Sequence, residues 1–123
     1  MHVLRPHLQH ETFIPKILDM QKRGYHLIYI EENRKAAAAS GYRYTEHLLW
    51  GKVLYIDDLV THPDHRKKGF SHLLLDYICN EAKHHDCDAV HLDSGPSRFD
   101  AHKLYHRYGF NITSHHFALQ LKK

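Results

Sequence analysis

The sequence has no apolar run near the roughly 20 residues that a helix needs to span a bilayer. Its N-terminus, MHVLRPHLQH, lacks the apolar core of a signal peptide. These two absences set the expectation of a cytoplasmic protein without a membrane partner. Cysteine is scarce as well. Cys79 and Cys87 are the two present, on and just after one expected helix, so they read as reduced thiols and not as a disulfide framework or a metal site. Neither sign of charge is in large excess: 17 Lys and Arg against 14 Asp and Glu give a formal net charge of +3. That value suits an anionic small molecule as well as a nucleic acid and chooses neither. No internal repeat or low-complexity segment is present apart from the short run Ala36–Ala39.

What is there is ordinary for a folded domain. At 123 residues, 42% hydrophobic and 25% charged, the chain suffices for one core, and residues 1–123 are expected to form a single domain. The unusual component is histidine, with fifteen scattered along the chain. His62 with His65, and His102 with His106 one helical turn apart, have spacings that metal ligands use. The second pair encloses Lys103, Leu104 and Tyr105 and lacks the glutamate of a zinc-protease helix. Solvated surface histidines are therefore expected, with no metal, and the net charge should depend strongly on pH near 6.5.

In chain order, Thr12 caps a helix whose apolar positions Phe13, Ile14, Ile17 and Leu18 keep helical spacing until Gly24. Tyr25–Ile30 is rich in β-formers, Ala36–Tyr44 reads as a second strand, and Val53–Thr61 as a central third. Short connections make antiparallel pairing the expectation for these three. A helix follows with Phe70, Leu73, Leu74, Tyr77, Ile78 and Ala82 on its apolar face. Ala89–Asp93 is then a short buried strand, and strand, helix, strand implies a parallel crossover. Ser97 with Asp100 forms a capping pair for a last helix carrying Ala101, Leu104, Tyr105 and Tyr108 and closing at Gly109. The tail, Phe110–Leu121, alternates loosely and reads as one or two final strands.

The chemistry concentrates in Val53–Ile78. An apolar strand runs into a basic, glycine-containing turn, Arg66, Lys67, Lys68 and Gly69, with a helix directly behind it. The first N–H groups of a helix lack intrahelical partners and its dipole favours negative charge, so this order of parts builds an anion site. Asp57 and Asp58 are consecutive carboxylates on the strand. In regular β geometry one faces each side of the sheet, although a bulge would scramble that parity. A charge inside an apolar strand must be solvated, paired or functional. Either could act as a base through water, or simply pair with a nearby Arg or His.

Arg66-Lys67-Lys68-Gly69-Phe70-Ser71 resembles the pyrophosphate-binding signature of GCN5-related N-acetyltransferases, Arg/Gln-x-x-Gly-x-Gly/Ala. Ala101-His-Lys-Leu-Tyr105-His-Arg-Tyr-Gly109-Phe110 resembles that family's Ala-x-x-Leu/Phe-Tyr-x-x-x-Gly-Phe segment. The two lie in the family's order, with a helix and a strand between, and the resemblance covers roughly Tyr25 to the C-terminus. It implies an α/β fold with a mixed antiparallel and parallel twisted sheet flanked by helices. It also implies transfer of an acetyl group from acetyl-CoA, as cosubstrate and without a metal, to an amine by direct attack on the thioester. On this resemblance Leu59, Val60 and Thr61 meet the pantetheine through their main chain. Arg66, Lys67, Lys68, Gly69, Phe70 and Ser71 hold the phosphates. Tyr105 protonates the departing thiolate, Asp58 or Asp57 is the general base, and Asp93 is a further candidate for binding the amine.

Three features depart from the pattern. Ser71 stands where Gly or Ala is usual, and Arg98 stands where many members have an Asn that contacts the cofactor. Only 24 residues precede the Tyr25 strand, so the family's first strand is expected to be missing. An uncovered sheet edge invites association, and a homodimer is the expectation. Two other classes compete: a non-catalytic acyl-CoA-binding or regulatory module, and a nucleic-acid-binding domain. The second needs a continuous basic and aromatic surface, whereas Arg66–Lys68 is one short cluster.

Overall fold

The β-formers at Tyr25–Ile30, the small residues after them and the alternating run from Val53 each become a strand. In a computed structural model that describes residues 19–32, 35–62, 69–94 and 99–122, β1 is His26–Glu32, β2 is Lys35–His47 and β3 is Gly51–Thr61. They pair antiparallel in sequence order, as their short connections require. β2 and β3 extend further than their composition suggests because the hairpin ladder runs on to His47↔Gly51, leaving residues 48–50 as the turn. Before β1, residues 19–22 are helical and the turn at residues 23–24 ends them, where Gly24 was expected to. The earlier part of that expected helix lies outside the described residues.

Behind β3 comes α1, Phe70–His84, and then β4, Ala89–Leu92, which pairs parallel to β3. The four-stranded sheet has the order β1-β2-β3-β4. Its core is Ala37, Ala38, Ala39, Tyr42, Val53, Leu54 and Ile56 from the strands, closed by Leu74, Leu75, Ile78 and Ala82 of α1. This corrects the apolar face assigned to the helix. Leu73 and Tyr77 are about half exposed, at 55% and 49%, and Leu75 is fully buried in their place. Leu73–Leu75 offers two overlapping apolar stripes, and the sheet takes the one at 74, 75, 78 and 82. His26 stacks on Tyr42 at 5.2 Å, and Tyr44 meets His85, just past α1, at 4.6 Å. These rings seat the end of α1 on the sheet. Burial pushes the Tyr42 phenol up to about 12, with the neighbouring Tyr44, Tyr77 and Glu81 adding to it.

The chain divides into two units, Met1–Leu92 and Asp93–Lys123. The second holds α2, Phe99–Tyr108. The expected Ser97 cap and Arg98 lie outside the described residues. Residues 110–122 contain no strand, a correction to the final strands read from the sequence. Phe117, Leu119 and Leu121 do alternate, but they are exposed. Alternation supplies an apolar face, whereas a strand also needs a ladder partner for its N–H and C=O groups. Every described ladder belongs to β1–β4. Among the described residues, no helix is long and apolar enough to cross a membrane.

Candidate active site

The register of β2 against β3 shifts by one residue in the middle of the hairpin. Gly41 pairs with Asp58, but the next residue, Tyr42, pairs with Ile56. Asp57 is therefore an extra residue, and β3 bulges there. Ser40, fully buried, donates its hydroxyl to the Asp58 carbonyl at 2.6 Å and pins the bulge from the β2 side. On the other side, β4 follows β3 only from Val53↔Ala89 to Ile56↔Leu92. From Asp57 to Thr61, β3 has β2 on one flank and no β4 ladder on the other, among the described residues. Leu59, Val60 and Thr61 lie on this one-sided stretch, paired with Ser40, Ala39 and Ala38.

The far end of the stretch meets α1. Thr61 Oγ1 and Ser71 Oγ are 2.9 Å apart and share a hydrogen bond, so the first turn of the helix is tied to the end of β3. Gly69 opens the helix with φ 79 and ψ 12, a left-handed conformation that glycine adopts without steric penalty. No side chain caps this end and no acidic residue occupies its first turn. Among the described residues, nothing lies within 4 Å of where a Cβ on Gly69 would stand. A helix start with neither a side-chain cap nor an acidic first turn among the described residues suits an anion. Gly69, Phe70 and Ser71 are thus placed together with Thr61, while Arg66, Lys67 and Lys68 lie outside the described residues.

The two carboxylates have different partners. Arg43 donates from Nε to Asp57 Oδ1 at 3.2 Å and Oδ2 at 3.0 Å, and Nη2 donates to the same Oδ2. This hydrogen-bonded fork raises the Arg43 pKa still further, against a smaller opposing effect of burial. Asp58 instead accepts a hydrogen bond from the Tyr25 hydroxyl at 3.0 Å. The Arg43 guanidinium lies 5.5 Å from the Tyr25 ring centroid, within cation–π reach, so both carboxylates belong to one connected cluster. The opposite-face parity expected of consecutive strand residues fails because the bulge interrupts the alternation.

Sequence reasoning passed over Tyr25, Ser40, Gly41 and Arg43. Gly41 carried a signal, since an isolated glycine within a strand marks a bulge or a close approach. Here it is the approach of Tyr25: a Cβ on Gly41 would fall inside the hydroxyl and the ring. Arg43 also carried one, as the one Lys or Arg in the expected strand Ala36–Tyr44.

In the second unit, Tyr105 lies on α2, edge-on to Phe110 with ring centroids 5.9 Å apart. The Phe110 N–H donates to the Tyr105 carbonyl at 2.9 Å, which folds the chain back at the helix end. Asp93 Oδ1 lies 3.6 Å from His116 Nδ1. Next to it, Ser94 Oγ is buried without a hydrogen-bond partner among the described residues, and a buried polar atom of this kind calls for one. No group of three or more His, Cys, Asp or Glu gathers in metal-binding geometry among the described residues.

Known proteins share this fold. The model of the acetyltransferase (GNAT) family matches residues 3–110. A protein of Bacillus subtilis (strain 168), described as the uncharacterized N-acetyltransferase YhdJ, is 36% identical over 119 residues, covering 95% of this chain and 84% of that one. The structure of AAC(6')-Iy in complex with the bisubstrate analogue CoA-S-monomethyl-acetylneamine superposes with a TM-score of 0.84 at 12% identity, over 99% of this chain and 86% of that one. A ribosomal-protein-alanine N-acetyltransferase from Brucella melitensis biovar Abortus 2308 gives 0.77 at 18% identity, over 92% and 82%.

Proposed function

The chain belongs to the acetyltransferase (GNAT) family, and on that premise we propose how its residues divide the work of moving an acetyl group. It is an acyl-CoA-dependent N-acetyltransferase, with acetyl-CoA as donor and an amine as acceptor. Acetyl-CoA supplies the activated thioester. The pyrophosphate rests at the start of α1, at Gly69, Phe70 and Ser71, with Arg66, Lys67 and Lys68 as its counter-ions. The pantetheine runs along the one-sided stretch of β3 and bonds to the main chain of Leu59, Val60 and Thr61 as an added strand would. A free N–H in the Leu59–Val60 region faces the thioester oxygen and stabilises the charge that develops there.

Two proton movements remain. The attacking amine must give up a proton and the departing thiolate must gain one. Asp58 takes the first, directly or through one water, and the Tyr105 hydroxyl gives the second. Asp58 is preferred to Asp57 because both carboxylate oxygens of Asp57 already accept hydrogen bonds from Arg43. The observation that carries this reading is the open flank of Asp57–Thr61 ending against the first turn of α1.

The test is release of free thiol from acetyl-CoA with a panel of amines: spermidine, glucosamine 6-phosphate, an aminoglycoside and a peptide with an N-terminal alanine. On the best acceptor, Tyr105→Phe and Asp58→Asn each lose about 100-fold in kcat, and Asp57→Asn loses far less. Unchanged turnover in Tyr105→Phe removes its acid role. We also infer that a second copy of the chain covers the outer side of β1, which carries no strand among the described residues. A purely monomeric mass by light scattering at high concentration overturns that.

A further inference from the structure

The geometry points to Tyr25 as a positioning residue for the acetyl transfer: its phenol holds the Asp58 carboxylate in place. The proposal rests on Asp58 being the base. Tyr25 stands just ahead of β1, 33 residues from Asp58 in the chain, and only 3% of it is exposed. Packing alone would be served as well by phenylalanine. The hydroxyl, however, reaches Asp58 Oδ2 at 3.0 Å, and it does so across the one β2 position that has no side chain, Gly41, the ladder partner of Asp58. The strand has given up a Cβ at the place where the phenol must pass.

The pair of carboxylates is thereby sorted by the charge of the donor. Arg43 is a permanent cation and serves Asp57. A phenol is neutral at ordinary pH, so it orients Asp58 by a directed hydrogen bond and adds no charge of its own. Among the described residues, Tyr25 from the segment before β1, Ser40 and Arg43 from β2, and Asp57 beside it on β3 are gathered about Asp58. To these the phenol adds a directed hydrogen bond that the carboxylate accepts better than the carboxylic acid does.

The experiment uses the full chain and four proteins: wild type, Tyr25→Phe, Asp58→Asn and the double variant. Thiol release is followed with whichever panel amine is acetylated fastest. Side-chain carboxyl NMR on 13C-labelled aspartate, with Asp58 assigned by its loss in Asp58→Asn, reads the same hydrogen bond without any acceptor. Tyr25→Phe should lower kcat about tenfold, leave KM for acetyl-CoA unchanged and move the acid limb of the pH–rate profile up by about one pH unit. The Asp58 signal should titrate about one unit higher as well, and Tyr25→Phe should remove nothing further from the Asp58→Asn rate. An Asp58 titration unmoved by Tyr25→Phe, or an equal loss in both backgrounds, overturns the proposal at the hydrogen bond. Full turnover in Asp58→Asn overturns it at the base, whatever the NMR gives.

Discussion

Replacing Gly41 with alanine adds one methyl group to the sheet, and the structure says where it goes. Even ring carbon Cε1 of Tyr25 would stand only 2.6 Å from the new Cβ, and the hydroxyl would stand closer still. Ordinary carbon contacts need about 3.5–4.0 Å. The ring must therefore move by an ångström or more from a pocket in which it is 3% exposed, under the Arg43 guanidinium. Overpacking of a filled site costs about 1–3 kcal/mol, and losing the hydrogen bond to Asp58 costs about another 1 kcal/mol. The sum is about 2–4 kcal/mol. With unfolding entropy near 2.1 cal/mol/K per residue, 123 residues give roughly 0.26 kcal/mol/K, so Gly41→Ala should melt about 8–15 °C below wild type. Thermal unfolding by circular dichroism measures this. A second substitution, Tyr25→Leu, should cost less in the Gly41→Ala background than alone, because the clash has already been made. A Gly41→Ala protein melting within about 2 °C of wild type, or strict additivity of the pair, refutes the placement of the ring.

Two further outcomes are expected. The raised Tyr42 phenol binds its proton more tightly in the folded chain, so its stabilisation is complete below pH 10 and is lost as pH rises toward about 12. Urea unfolding between pH 9 and 12 should lose about 2–3 kcal/mol less in Tyr42→Phe than in wild type; equal losses would remove burial of Tyr42 as the cause. Gly69→Ala, which meets no atom and strains only a φ of 79, should cost about 1–2 kcal/mol, and Gly69→Asn less. Stabilities within about 0.5 kcal/mol of wild type for both would mean that the left-handed residue is not needed there.

Much of the fold was legible because each element satisfied its own backbone by a local rule. Alternation from Val53, helical spacing from Phe70 and short connections fixed β3, α1 and the antiparallel hairpins without knowledge of any partner. What failed to read were properties of pairs of elements. Leu73, Leu74 and Leu75 were all credible core residues until the sheet selected 74 and 75. Phe117, Leu119 and Leu121 have a strand's period but no described ladder, and no local pattern announces whether a partner edge exists.

The carboxylates are the sharpest case. Asp57 and Asp58 look alike from β3, and nothing in YIDDLV distinguishes a paired group from a working one. The distinction is made on β2 and before β1, where the register places Gly41 opposite Asp58 and brings the Arg43 fork to Asp57. Without the bulge the two consecutive carboxylates would stand on opposite faces of the sheet, and only one of them could join the cluster of Tyr25 and Arg43. The bulge at Asp57, pinned by the buried Ser40 hydroxyl, therefore brings both carboxylates to one side while giving them different partners. Ser40→Ala tests this register step without touching either acid: where the pin matters, the Asp57→Asn and Asp58→Asn rate losses draw together in that background, and where it does not they stay as far apart as before.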